Sequence, residues 1–237
     1  MINNRINERV QKLIEVSGTL DKRAYFTVSA HGDVVRKKMN MSLAAMVFCK
    51  NEELFLQTLA EESDKRETQK EKDISRMSSL NMENLIENLP KLIIKGELEF
   101  AKKYAKELAL RDKDEFLKVL FNISLMDNLE FQKPLMALAM KEILENYGWN
   151  DKIGYLVISY FTKQRYDLSD LEKAGRVDKN SLEIRENSLK LQAYKKVLMS
   201  YNYKNEEKYA DILKKAQENL KEENISEVEK EILNSII

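Results

Sequence analysis

The chain has 237 residues, 43% hydrophobic and 34% charged, and its 40 basic and 40 acidic residues cancel. That balance removes a chain-wide electrostatic footprint for nucleic acid or anionic lipid. A single His and a single Cys exclude an intrachain disulfide, a His-rich or Cys-rich metal site and a pair of histidines sharing acid/base work.

With 2 Pro and 6 Gly, and apolar residues recurring at helical spacing nearly end to end, the expected fold class is all-α. The high charge share suits helices that each bury one stripe and solvate the rest. Lysine outnumbers arginine 30 to 10, and Asn and Ile are plentiful. Their AT-rich codons point to a low-GC bacterial genome, so Lys-rich stretches need not mean phosphate binding. Residues 1–7 are polar and lack the apolar run of a signal peptide. Long apolar stretches such as 43–49 and 155–160 are too short to span a bilayer. The expected compartment is the cytoplasm, without membrane association, and Cys49 reads as a small buried hydrophobe.

In chain order, a helix is expected over about 5–16, with Ile6, Val10, Leu13 and Ile14 on one face and Gly18 ending it. Residues 24–30 alternate as a strand would, but the surrounding composition favours a helix. A hairpin turning at His31 and Gly32 is the competing reading. Asp33 is placed to cap a helix with Val35, Met39, Leu43, Met46 and Val47 inward, and Asn51 to cap another with Phe55 and Leu59 inward. Residues 61–76 carry one apolar residue, Ile74, in a dense charge run. The chain therefore divides into an N-terminal helical region (1–62), a charged linker or solvated helix (63–79) and a main helical region (80–237), or forms one domain throughout.

After Leu80 the stripes are cleaner. Met82, Leu85, Ile86, Leu89 and Ile93 share a face, where Pro90 should kink or restart the helix and Gly96 should end it. Leu98, Ala101, Ala105 and Leu108 follow. Asp112 with Glu115 reads as a capping box. The next helix is apolar on two faces, one with Phe116, Val119, Leu120 and Ile123, the other with Leu117 and Phe121, and is expected at the centre. Met136, Ala139, Met140, Ile143 and Tyr147 lead to Gly148 as a left-handed cap, with Trp149 in capping contact. Residues 153–161 form a buried helix, and a short helix spans 168–173. Leu191, Tyr194, Leu198 and Tyr201 mark one long helix; Tyr209, Ile212, Leu213, Ala216 and Leu220 mark another. Ser226 with Glu229 is a second capping box, opening a helix with Val228, Ile232 and Ile236 inward.

This makes about ten helices in antiparallel succession. Two arrangements fit: an irregular array of helical hairpins, in the style of tetratricopeptide or HEAT repeats, which is slightly favoured, and a compact multi-helix bundle. The segment Gly96-Glu97-Leu98-Glu99-Phe100-Ala101-Lys102-Lys103-Tyr104-Ala105 resembles the second helix of a tetratricopeptide repeat over about one helix. Leu108 stands where that family has a small residue, no Pro closes the unit and the other hairpins do not repeat it, so the physics of helical hairpins accounts for the likeness.

Few groups suggest chemistry. His31, Gly32 and Asp33 read as a turn and a cap, with no nucleophile to pair with His31. The acidic pairs Glu52-Glu53, Glu61-Glu62, Glu206-Glu207 and Glu222-Glu223 lie in first turns or beside lysines, as helix-dipole matching explains. Phosphate loops of the Gly-x-Gly or Gly-Lys-Ser/Thr type are absent. Met39, Met41, Met46, Met77 and Met82 read as core filling rather than an adaptable groove. No catalytic residue, metal ligand or cofactor is assigned. The aromatic and basic region 149–209 is the most suggestive surface, and Trp149, Lys163, Arg165, Tyr166 and Tyr203 are its candidate binding residues. The expected function is a non-enzymatic protein–protein interaction module (an adaptor, regulator or neutralising partner) with a protein partner. The alternatives are nucleic-acid binding through region 149–209, which is not favoured, and a carboxylate- or metal-dependent enzyme.

Overall fold

The computed structural model describes residues 2–20, 26–28, 30–32, 34–36, 40–63, 79–127, 132–219 and 225–237. Helices dominate them, and the fold is all-α with one small two-stranded ribbon. The helices are α1 (Ile2–Val16), α2 (Ser42–Phe48), α3 (Glu52–Glu61), α4 (Met82–Ile94), α5 (Leu98–Arg111), α6 (Lys113–Met126), α7 (Gln132–Asn146), α8 (Asp151–Thr162), α9 (Ser169–Lys173), α10 (Leu189–Ser200), α11 (Glu206–Asn219) and α12 (Glu227–Ile236). A short 3-10 turn spans Lys179–Ser181.

Between α1 and α2 the chain departs from expectation. Strands β1 (Phe26–Val28) and β2 (Val34–Arg36) pair antiparallel, with Thr27 opposite Val35. Over the described residues 26–28 and 34–36 the hairpin reading is therefore correct and the helix reading is not. Local β-branched alternation outweighs the helical character of the flanks, and Gly32, at φ +85°, supplies the turn. The next helix consequently does not start at Asp33, which lies outside the described residues. It begins at Ser42, whose amide is taken by the Asn40 side chain at 2.9 Å, and Val35 belongs to a strand.

The other boundaries have local causes. The Asn51 side chain accepts from the Glu53 and Leu54 amides and opens α3. Helix α4 runs unbroken from Met82 through Pro90 to Ile94, so the proline does not restart it. Gly96, at φ +80°, ends α4: its amide bonds to the Ile93 carbonyl and that of Glu97 to the Leu92 carbonyl. Asp112 caps α6 by accepting from the Asp114 and Glu115 amides. The reciprocal half of the expected box is missing, because the Asp112 amide already closes α5 on the Leu108 carbonyl. Ser226 and Glu229 do form the complete box at the start of α12.

Packing decides between the two arrangements. In an open array each unit touches its neighbours in sequence. Here α5 packs on α4, α6 and α8, and α7 on α6 and α8, but α2 also meets α7, and α12 returns to α2, α3 and α10. The arrangement is compact, so the slightly favoured array gives way to the bundle. One hydrophobic core runs from Val10 and Leu13 to Ile232 and Ile236. Helix α6 is buried on both predicted faces, and α7 is buried throughout Gln132–Met140 rather than along one stripe. Met41, Met46 and Cys49 are core residues. Met39, Met77 and Leu220, and the 63–79 linker apart from its end residues, fall outside the described residues. Among the described residues no helix is long and apolar enough to cross a membrane.

Candidate functional site

The densest buried polar chemistry lies where α6 ends, α7 begins and the chain leaves α8. Lys133 is fully buried in the first turn of α7 and forms an ion pair with Asp127, the residue that ends α6 and is 4% exposed. The second Asp127 oxygen accepts from the Asp167 amide at 2.7 Å. The Tyr166 ring covers the Lys133 ammonium, 4.4 Å from its centroid, and the Tyr166 hydroxyl donates to the Phe161 carbonyl at 2.7 Å. The pair thus ties the segment after α8 to the α6–α7 junction. Gln164, buried in the same segment, has no hydrogen-bond partner for either amide atom among the described residues.

Three of the five candidate binding residues, Lys163, Arg165 and Tyr166, share this segment. Only Arg165 is exposed; Lys163 and Tyr166 are half-buried. Trp149 lies at the other end of α8. Its indole nitrogen donates to Asp151 at 2.7 Å and its ring meets Phe116 edge-on at 5.7 Å. A β-carbon on Gly154 would come within 2.3 Å of that ring, so Trp149 lies directly on the α8 backbone.

Tyr203, expected at the surface, is buried. Its hydroxyl donates to the Val197 carbonyl at 2.9 Å, and its ring meets Tyr201 and Tyr209 edge-on. Burial pushes its phenol well above the usual range and that of Tyr209 up to about 12. The Tyr209 hydroxyl donates to Asn122 of α6 at 2.7 Å. These rings stitch the α10–α11 junction to the core, with Tyr203 and Tyr209 buried in it.

The leading carboxylates of two acidic pairs, Glu52 and Glu206, tie separate elements together, while Glu61 accepts from Gln57 of its own helix. Lys179 hydrogen-bonds Glu206 at 2.7 Å and holds its carboxyl below the usual range. Burial raises the Glu52 carboxyl, but Arg9 and Lys12 outweigh it and leave that group lowered as well. Glu222 and Glu223 lie outside the described residues. His31 is an exposed turn residue beside Gly32. Among the described residues no three His, Cys, Asp or Glu side chains gather as a metal-binding group.

The sequence reading missed Asp127 and Lys133. The available signal was a lysine directly before Pro134 at the head of a helix whose next six residues are apolar. It also missed the exposed apolar residues of α5, Phe100 and Leu110, since a stripe analysis looks inward.

No protein-family model, no curated protein and no solved structure matches this chain.

Proposed function

We propose that this chain is a non-enzymatic protein-interaction module of a bacterial cytoplasm, an adaptor, regulator or neutralising partner that binds another protein. The observation that supports it is the outer side of α5, where Phe100 is 54% exposed and Leu110 53% exposed. Ten residues of helix separate them by about 15 Å along the axis and about 80° around it, so both look out from the packed side. A partner surface long enough to span both would bury two large apolar side chains, the kind of group that anchors an interface.

The alternatives have less support. Every aromatic residue between 149 and 209 is buried or half-buried, and Tyr160, Phe161, Tyr194, Tyr203 and Tyr209 belong to the core, so these rings favour packing over stacking on a nucleobase. Glu52 and Glu206, the leading carboxylates of two acidic pairs, are occupied by cations.

The test is retention of partners by tagged protein from lysate of its native host, with and without nuclease, for the natural chain and for Phe100→Ala/Leu110→Ala. The expected outcome is a stoichiometric protein that survives nuclease and is lost on the double variant. Retention that disappears with nuclease, or that the double variant leaves intact, counts against this reading.

A further inference from the structure

A narrow cleft of about 230 Å³ opens where α2, α7, α10 and α12 meet. At roughly 30 Å³ per water molecule it has room for one side chain or a short molecule. Val47, Phe48, Ile143 and Ile236 supply apolar wall. Three of the four helices end here, α2 at Phe48, α7 at Asn146 and α12 at Ile236. Arg9 already matches the α2 end through the Met46 and Cys49 carbonyls, so the α7 and α12 ends bring the negative ends of their helix dipoles to the cleft.

The cleft already holds one cation of the chain itself. The Lys196 ammonium donates to the Ile236 carbonyl oxygen. Glu142, on the wall formed by α7, is half-buried, and its carboxylate has neither a hydrogen bond nor an ion pair among the described residues. A half-buried carboxylate beside converging carbonyl ends favours positive charge.

We propose that this cleft is a binding site for a cationic nitrogen, an ammonium or guanidinium group on a short apolar stem, carried by a free amine or by a basic side chain of a partner. Glu142 faces the charge, Asn146 and the helix ends accept its hydrogens, and the apolar wall takes the stem. Lys196 is an internal competitor for the same carbonyl. The proposal does not depend on the α5 surface.

The experiment is NMR titration of the full chain with n-butylammonium, with butyrate as the anionic isostere and N-acetyl-lysine methylamide as the side-chain mimic. Butylammonium is expected to bind saturably with shifts confined to the four helix ends, and butyrate not to bind. Glu142→Gln should weaken the amine roughly fivefold, and Lys196→Met should tighten it roughly threefold by removing the competitor. Binding of the lysine mimic as well supports a side-chain source, and binding of butylammonium alone supports a free amine. Absence of amine binding, equal binding of butyrate, or loss of binding in Lys196→Met overturns the proposal. The Lys196 variant keeps the test decisive if Glu142→Gln perturbs the fold.

Discussion

Arg9 and Lys133 are both buried cations, but they hold the helices together in different ways. Lys133 pairs with Asp127, six residues away, and both groups are out of water. Arg9 reaches across the chain. Its guanidinium donates to the Cys49 carbonyl at 2.6 Å and to the Met46 carbonyl at 3.3 Å, while its Nε meets Glu52 at 2.6 Å. On the other side of the same connection, Glu231 of α12 accepts from the Lys50 and Asn51 amides at 2.6 and 2.8 Å. The α2–α3 connection thus has a cation at the end of α2 and an anion at the start of α3, each matching the nearer dipole. One tie is a buried ion pair between near neighbours in sequence that also holds the Asp167 amide. The other is a clamp whose two jaws come from opposite ends of the chain and whose carboxylates keep contact with water.

The largest consequence falls on the buried pair. Asp127→Ala removes the counter-charge of a fully buried ammonium and should cost about 3–5 kcal/mol in urea unfolding. The Lys133→Met/Asp127→Leu double variant should recover part of that loss, because two apolar groups replace two desolvated charges while the Asp167 amide still loses its acceptor. If the double variant is as unstable as Asp127→Ala alone, the buried charge is not the source of the loss.

Arg9→Met should cost less, about 2 kcal/mol. The two carbonyls lose a charged donor, but Glu52, whose side chain is 42% exposed, keeps Lys12 at 3.1 Å and its contact with water instead of being stranded. The loss should also appear as faster hydrogen exchange in α2 and α3, with α6–α8 unchanged. A change spread evenly over the molecule would erase the distinction between the two ties.

These two ties also show what was legible. Helix positions and the inward stripes follow from 3.6-residue periodicity, and the caps at Asn51, Asp112 and Ser226 from single residues at the right offset. The β1–β2 ribbon was legible only as an alternative, because six paired residues carry little signal against helical flanks. The compact packing was not legible, since stripes say which face is buried but not which helix covers it. That Arg9 meets residues 40 positions on, or that Glu231 caps amides 180 positions back, follows from chain return alone. Of the candidate binding residues, Tyr203 was misjudged because it sits between helices, where no stripe marks it, yet the junction folds inward.

Acid acts on the carboxylates of the clamp. Burial acts to raise both Glu52 and Glu231, but Arg9 and Lys12 for the first, and the Asn51 amide, the Cys49 thiol and the Lys50 amide for the second, outweigh it and leave both carboxyls lowered. A group whose folded value lies below its unfolded one contributes stability above the unfolded value and loses it as pH falls through the folded one. The clamp should therefore hold at neutral pH and loosen below the ordinary glutamate value of 4.5. Exchange at the Lys50 and Asn51 amides, followed as pH is lowered and corrected for the intrinsic rate, should show protection falling in that window. Protection that rises on acidification would reverse the sign and remove the carboxylates from the clamp.

The smallest expected effect asks what the anionic jaw contributes. Glu231→Gln keeps an amide oxygen where Oε1 now accepts from Lys50 and Asn51, so the shape of the contact survives and only the charge goes. A charge-assisted hydrogen bond exceeds a neutral one by a modest margin, so the variant should lose roughly 0.5–1 kcal/mol. It should also flatten the acid dependence of the Lys50 and Asn51 amides, since Gln does not titrate. Glu231→Ala, which removes the acceptor as well, should cost more and free both amides at every pH. If Gln and Ala behave alike, the jaw works through charge and not through its hydrogen bonds. The clamp would then resemble the Lys133 pair in kind and differ only in its exposure to water.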